Sequence, residues 1–277
     1  MSEYLYHYTS MESIFGMLQS YSKDNPYCTM WASNVLFMND ASEYQFGQNV
    51  CRDLVLQYEG EIQPQQGFSY IYYKNEAWRE EELNYPYIIS FSERVDSAAI
   101  WNMYSNNGTG IVIIFDIEKL QETPRISLGA CWYCNDADNL LFDNHIRARI
   151  SDTYNSCVDM DYGDAPLDID ATTFYDTMKA FMFLMKIAPK IKHASFDYEA
   201  EWRLTKSGID KPKFRCKNGV IIPYKEVHIP IDAIKGFVIG PTANFEYIQK
   251  SLRLYLTSRG LDGLAKNITK STVPYRG

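Results

Sequence analysis

The sequence lacks the features of a membrane-bound or secreted protein. No run of about 18 apolar residues occurs, so no spanning helix is expected. The first residues, Met-Ser-Glu-Tyr, do not have the charged and then apolar character of a signal peptide. We therefore predict a cytoplasmic protein with no membrane partner.

Metal-binding and disulfide patterns are also scarce. The chain has only four histidines, and its six cysteines are scattered over 277 residues, which favours a reduced setting. Cys131 and Cys134 form a single Cys-x-x-Cys motif without a second pair or a nearby histidine cluster. A metal or redox role is one interpretation of this motif, and packing is the other. We expect no metal.

The chain has no overall excess of positive charge. Its net charge of −8 argues against broad, non-specific binding of nucleic acid. The charge is uneven, because nine basic and only four acidic residues lie between Lys186 and Lys217. This basic stretch could meet the phosphates of a cofactor or of a polynucleotide, or it could be a solvated face.

Internal repeats, coiled-coil heptads, low-complexity tracts and clear linkers are absent, so residues 1–277 are predicted to form a single domain. Residues 59–84 are polar and are predicted to form an excursion from it, and residues 135–172 have no clear assignment. The predicted strands outnumber the predicted helices, and most of them lack a regular alternation of apolar and polar residues. This predicts an α+β fold with a twisted mixed or antiparallel sheet and helices packed around it.

The predicted elements follow from periodicity and from capping signals. A first strand ends at Tyr8, and Thr9 with Glu12 forms a capping box that opens a helix. Further strands are predicted at 30–37, 87–92, 110–115, 126–133, 219–224, 227–229, 234–239 and 267–273. Further helices are predicted toward Leu56, at Ile100–Tyr104, at Thr173–Lys192 and at Phe245–Ser258.

The stretch Ser195–Leu204 carries the most suggestive chemistry. Aromatic and apolar residues alternate with acidic residues and an arginine from Phe196 onward, a pattern typical of a half-buried strand. Glu199 and Glu201 would then lie on one face and raise each other's proton affinity, which Arg203 would lower. Such an arrangement can hold a carboxylate ready for catalysis, or it can be a solvated strand face.

Four sequence elements in one order resemble a known family. They are His7-Tyr8-Thr9 before a helix, Phe37-Met-Asn-Asp40-x-x-Glu43, Ser90-Phe-Ser92 with Trp101-x-x-Tyr104, and Tyr198-Glu-x-Glu-Trp-Arg203. Together they resemble an uncharacterised, largely bacterial family of unknown-function domains, some associated with abortive-infection phage defence. The resemblance covers nearly the whole chain.

That family in turn is distantly similar to the ADP-ribosyltransferase superfamily, in which a split mixed sheet binds NAD in a central cleft. The resemblance implies that Glu201 and Glu199 are catalytic, and which of the two is essential stays open. It implies that NAD as substrate contacts residues of the first, third and fourth elements, namely His7, Tyr8, Thr9, Ser90, Ser92, Trp101, Tyr104 and Arg203. His7 would contact a ribose, and Tyr104 would stack on nicotinamide.

The sequence therefore favours an enzyme that cleaves the nicotinamide–ribose bond of NAD, in the manner of a toxin or a defence effector. Glu201 would stabilise the oxocarbenium-like ribose. The acceptor is open and could be a protein, a nucleic acid, a small molecule or water, and so is the oligomeric state. The alternatives are a non-catalytic nucleotide- or protein-binding module of the same fold and a metal-dependent nuclease or phosphodiesterase.

Overall fold

The structure is a computed structural model that describes residues 3–38, 41–63, 68, 85–141, 143–159, 179–180, 182–206, 210–217 and 219–274. Its architecture is α+β with a mixed, mainly antiparallel sheet, as predicted. None of its described helices is both long enough and apolar enough to cross a membrane.

Twelve strands are assigned within the described ranges. They are β1 (Tyr4–Thr9), β2 (Tyr27–Asn34), β3 (Tyr87–Ser92), β4 (Ile111–Asp116), β5 (Ile126–Ala130), β6 (Trp132–Cys134), β7 (Ile191–His193), β8 (Glu201–Lys206), β9 (Lys213–Lys217), β10 (Val220–Pro230), β11 (Ile234–Ile239) and β12 (Ile268–Lys270). Strands β6 and β7 pair in parallel as a separate small sheet, and the other ten form one sheet.

The helices are named in the same way. They are α1 (Met11–Leu18), α2 (Ala41–Ile62), α3 (Ala98–Tyr104), α4 (Ile117–Gln121), α5 (Ala137–Leu141), α6 (Asn144–Val158), α7 (182–187), α8 (Phe245–Ser258) and α9 (Asp262–Ala265). Short 3-10 segments occupy Val35–Phe37, Ala188–Lys190, Ala194–Glu199 and Ile231–Ala233.

Strand β3 is the branch point of the large sheet. One edge of β3 pairs along its whole length with β8, which pairs in turn with β5. The other edge is shared, because β2 pairs with the beginning of β3 and β1 with its end. Beyond β1 lie β4, β11 and β12, and beyond β2 lie β10 and β9. The two halves of the sheet therefore diverge from β3.

Both faces of the sheet at β3 are covered. One face, called here the core face, carries Leu5, Ile89, Phe91 and Leu204 in a cluster with α1 and α8. The opposite face, called here the acid face, carries Ile88 under α2, α6 and α7, and Tyr8 and Val112 under α3. Polar side chains on the acid face of β3 and β8 therefore lie beneath a helical layer instead of in water.

Several predicted boundaries were wrong for local reasons. The N-cap of α1 is Ser10, whose side chain accepts from the Ser13 amide, whereas Thr9 still pairs with Ile111 in the sheet. The helix predicted at Thr173–Lys192 ends at 187 in the described part, before Pro189 and strand β7. The strands predicted at 219–224 and 227–229 form the single strand β10.

Other predicted elements can be compared only in part. The helix predicted toward Leu56 continues to Ile62, beyond the start of the excursion predicted at 59–84. Most of that excursion, much of 135–172, and the motif residues Asn39 and Asp40 lie outside the described residues. The predicted helix Phe245–Ser258 is confirmed, and the predicted closing strand is shorter, at Ile268–Lys270.

Two glycines of α2 provide a test of how closely this helix packs. A Cβ atom at Gly47 would overlap the carbonyl oxygen of Ala188, whereas a Cβ atom at Gly60 would have no neighbour within 4 Å. We expect Gly47→Ala to lower the free energy of unfolding by about 1–3 kcal/mol. Gly60→Ala should raise it by up to about 1 kcal/mol, because alanine favours the helix. Denaturant unfolding of both variants tests this, and equal effects would contradict the packing.

Candidate functional site

A buried cluster of charged residues lies between the acid face of the sheet and the helical layer. Strand β8 contributes Glu201 and Arg203, strand β7 contributes Lys192, the 3-10 segment contributes Glu199, and α2 contributes Glu43. Lys192, Glu199, Glu201 and Arg203 each have at most 5% of their surface exposed. Burial of so many charges requires that they be paired.

The local backbone explains how two glutamates two positions apart enter the cluster. Residues Ala194–Glu199 form a 3-10 segment, and Ala200 adopts a left-handed conformation with φ +43° and ψ +50°. The Ala200 amide donates to Asp197, and the Ala200 carbonyl accepts from the Glu93 amide at 3.0 Å. The strand predicted from Phe196 therefore begins only at Glu201, because the left-handed residue separates it from the preceding turn.

The ammonium group of Lys192 lies among three carboxylates. Its Nζ donates to Glu201 Oε2 at 2.6 Å and also to Glu199 Oε2. Glu43 Oε2 is 3.3 Å from the same nitrogen. Phe196 covers the cation from the side, with its ring centroid 5.3 Å from Nζ.

All three guanidinium nitrogens of Arg203 donate hydrogen bonds. Its Nε and one terminal nitrogen donate to the two oxygens of Glu201 at 2.9 and 3.0 Å. The terminal nitrogens also donate to Glu43 and to the Pro189 carbonyl. This bidentate arrangement fixes the carboxylate of Glu201 in one orientation.

The ionisation of the cluster follows from these pairs. Burial would raise the pKa of Glu201, but Arg203 and Lys192 lower it to about 2. Burial would likewise lower the pKa of Lys192 and of Arg203, but the Glu201 carboxylate raises both. Glu201 therefore stays ionised at neutral pH and cannot take up a proton readily. Each glutamate was predicted to raise the proton affinity of the other. At Glu201 the two cations outweigh this effect and lower the pKa.

Tyrosine and serine side chains join the cluster to α3 and β3. The Tyr104 hydroxyl donates to Glu199 Oε1 at 2.8 Å, and burial followed by the Glu199 carboxylate raises the pKa of Tyr104. The Ser92 hydroxyl donates to the Glu199 carbonyl at 2.6 Å. The Glu201 amide donates to the Tyr133 hydroxyl at 2.7 Å. The structure thus brings Tyr104 and Ser92 together with the two glutamates.

The register of the sheet places the two predicted serines beside the cluster. Ser92 is directly opposite Glu201 and Ser90 is opposite Arg203, so all four side chains share the acid face. Tyr6 is opposite Ser92 and shares that face as well. The Ser90 hydroxyl is buried and has no hydrogen-bond partner within the described ranges.

His7 lies on the other side of the sheet. Because Tyr6 is on the acid face, the next residue points to the core face, where the His7 ring is 5.6 Å from the Phe91 ring. Its Nδ1 donates to the Ser90 carbonyl at 2.9 Å. Burial lowers the pKa of His7, which favours the neutral ring. The structure therefore does not bring His7 together with Glu201 on one surface.

The remaining predicted residues make packing contacts. The Tyr8 hydroxyl donates to the Arg94 carbonyl at 2.8 Å, and its ring packs edge-on against Trp101. The Trp101 indole donates to Asp96 at 2.6 Å. Thr9 pairs with Ile111 in the sheet. None of these contacts joins the charged cluster.

Sequence reasoning missed the role of Lys192, Tyr133 and Glu43. Lys192 was assigned to a helix end, but β7 carries it between the two glutamates. Glu43 belongs to one of the motifs that carried the resemblance, yet its pairing with β8 has no local signal. These contacts depend on long-range packing that spacing along the chain does not encode.

In this structure the carboxylates of the cluster are paired with cations of the protein itself. Among the residues that it describes, no group of three or more His, Cys, Asp and Glu side chains is arranged to hold an ion. Lys192 instead occupies the space between the three carboxylates. Cys131 and Cys134 are buried free cysteines, and burial raises the pKa of both thiols.

Part of the chain matches a known family model. Residues 100–204 match the model of a family described as "Protein of unknown function (DUF2971)". This range includes Tyr104, Lys192 and the three charged residues of the Glu-x-Glu-x-Arg motif. No curated protein and no solved structure matches the chain.

The cluster predicts a specific pH dependence of stability. Because the pKa of Glu201 falls from an ordinary value near 4.5 to about 2 on folding, its contribution is complete above 4.5 and is lost as the pH falls toward 2. We expect Glu201→Gln to lower the unfolding free energy at neutral pH by about 3 kcal/mol and to flatten its pH dependence in that window.

Chemical denaturation between acidic and neutral pH measures this effect. The matched control is Glu118→Gln, since Glu118 is exposed on α4 and should change neither quantity. The assigned ion pairs would be contradicted if Glu201→Gln had the unfolding free energy of the wild type and the same loss of stability at acidic pH.

Proposed function

We propose that this protein cleaves the nicotinamide–ribose bond of NAD and passes the ADP-ribose to an acceptor or to water. The observation that carries the proposal is the composition of the buried cluster, in which three carboxylates face only two cations. Such a site favours a species that carries positive charge.

The reaction creates charge of the required sign. When the glycosidic bond breaks, its electron pair goes to the nicotinamide nitrogen, which leaves as neutral nicotinamide. Positive charge develops on the ribose, and the acceptor then bonds to the same carbon and loses a proton. Carboxylates that are already oriented in a dry site stabilise such a charge more strongly than water does.

The two glutamates take different roles in this proposal. Glu201 is held by Arg203 and Lys192 with a pKa of about 2, so it acts as fixed negative charge and not as a base. Glu199 accepts from the neutral Tyr104 hydroxyl and is the last residue of the 3-10 segment. We assign Glu199 to the ribose hydroxyls and Glu201 to positioning of the site.

The acid face supplies further contacts for a nucleotide. Tyr6, Ser90 and Ser92 lie on it beside the cluster, and the buried Ser90 hydroxyl lacks a partner in the described part of the chain. All three guanidinium nitrogens of Arg203 donate hydrogen bonds, so we assign it to orientation of Glu201 instead of to the pyrophosphate. His7 positions β1 against β3 through its bond to Ser90.

Access to the cluster passes the 3-10 segment Ala194–Glu199. Phe196 covers Lys192, and the Tyr198 hydroxyl contacts the Met103 sulfur of α3 at 3.3 Å. With Glu199 and Glu201 at most 5% exposed, a nucleotide reaches them only when a covering element moves, and we assign that movement to this segment. Loops that close over a site and exclude water are a common device in enzymes.

A second candidate is a non-catalytic module in which the cluster has a structural role. The observation that favours it is the saturation of both glutamates, since each has both carboxylate oxygens bonded within the protein. A buried ionic network of this kind can specify the packing of helices on a sheet without chemistry.

Nicotinamide release distinguishes the two candidates. We expect the wild-type protein to release nicotinamide from NAD, measured by chromatography. Glu199→Gln should lower the rate by about 10²- to 10³-fold, as for loss of an electrostatic stabiliser. Tyr104→Phe should lower it by about tenfold, because it removes one hydrogen bond to the carboxylate.

The matched control is Tyr133→Phe, which deletes a hydroxyl that contacts the Glu201 backbone and no carboxylate of the cluster. It should retain most of the activity, with thermal unfolding confirming that each variant is folded. Absence of nicotinamide release from the wild-type protein, with no NAD binding by calorimetry, would reject the enzyme in favour of the module. Nucleic-acid cleavage that a chelator abolishes would favour a metal-dependent nuclease.

A further inference from the structure

A basic groove lies away from the charged cluster, at the end of β8. It is lined by two acidic residues, a histidine, a proline and five basic residues, which are Arg125, Lys206, Lys211, Lys213 and Lys225. Two of the basic residues form ion pairs inside it, since Lys213 Nζ is 2.8 Å from Glu226 and Lys206 Nζ is 4.0 Å from Asp210. The lining therefore has an excess of positive charge, although the whole chain has a net charge of −8.

The position of Lys225 reflects this excess of positive charge. Its Nζ lies 4.7 Å from the Tyr87 ring centroid. Burial lowers the pKa of Lys225, Asp210 raises it, and the neighbouring Lys206 lowers it further. Like charges held together in this way favour the binding of an anion with several charges.

An aromatic platform adjoins the groove on β2 and β10. The Trp31 ring is 4.7 Å from the Tyr224 ring, and the Arg215 guanidinium lies 5.4 Å from the Trp31 ring centroid. Trp31 nevertheless keeps 43% of its surface exposed, an unusual degree for a tryptophan. Part of this ring is therefore accessible for a further contact.

The sheet register connects the platform to the groove. Lys213 is opposite Tyr224, and Glu226 is opposite Trp31, so all four side chains share one face of the sheet. The Lys213–Glu226 ion pair lies on that same face. Lys213 of the groove and the exposed ring thus lie on the same face of the sheet, whereas Lys206 and Lys225 lie on the face of Tyr87.

We propose that this surface, formed by the basic groove and the Trp31 platform, binds single-stranded nucleic acid. The lysines and Arg125 would contact successive phosphates, and an unpaired base would stack on Trp31. Single strands are bound by this combination of a positive channel and an aromatic platform, because every base has a face that can stack. A duplex offers phosphates but no free base to stack on the ring.

The proposal is independent of NAD cleavage, and its test contains no NAD. Fluorescence anisotropy of a labelled oligothymidylate of roughly 12 nucleotides measures binding to the full chain. We expect Lys211→Glu combined with Lys213→Glu to weaken binding at least tenfold and to reduce the slope of log affinity against log salt by about 1.4, or 0.7 per phosphate contact.

Trp31→Ala should weaken binding about tenfold without changing the salt slope, since it removes stacking and no charge. Trp31→Phe should recover part of the loss. The matched control for the double charge reversal is Lys250→Glu with Lys266→Glu, two exposed lysines outside the groove, which should bind as the wild type does. Thermal unfolding confirms that each variant is folded.

Three outcomes would overturn the proposal. They are an oligonucleotide that does not bind at low salt, equal losses in the groove and control variants, and unchanged affinity in Trp31→Ala. Tighter binding of a duplex of the same sequence would also overturn it, since the platform would then have no role. Each of these results would leave the NAD cleavage assay unaffected.

Discussion

The position of Lys192 is the constraint on which the rest of this structure depends. Its ammonium group is buried among carboxylates from α2, the 3-10 segment and β8, and it joins the helical layer to the sheet. An unpaired ammonium there would be very unfavourable, and three unpaired carboxylates would be worse. The elements that bear these charges must therefore assemble together, and the site cannot form unless the fold is complete.

Sequence periodicity predicted the elements that have one buried face or are wholly apolar. Strands β3, β4 and β11 and helix α8 were found for this reason. The pattern at 196–204 was misleading because both faces of β8 are covered, so that Glu201 and Arg203 are buried although they alternate with apolar residues. Polar residues that alternate along a strand normally mark its exposed face. On β8 they mark instead a layer of charged side chains that is buried under helices.

The candidate site was predicted in part for a similar reason. Residues two apart on one strand keep their common face whatever the topology, so Glu201 and Arg203 lie together, whereas Ser92 lies beside them through the register of β3 with β8. The face of His7 depends on the pairing of β1 with β3, and a shift of one residue exchanges the faces. Motif resemblance supplies residue types, but it does not supply this register. Lys192 was missed because its strand pairs in parallel with a distant one.

Strand β8 also relates the two surfaces of the molecule. It begins at Glu201 in the charged cluster and ends at Lys206 in the basic groove, a separation of about 17 Å for five steps of an extended chain. Pairing with β3 on one edge and β5 on the other keeps this separation fixed. At that distance the charges are partly screened by salt. The excess of carboxylates in the cluster and the positive charge of the groove can therefore coexist on one strand, because the electrostatic field of one does not cancel that of the other.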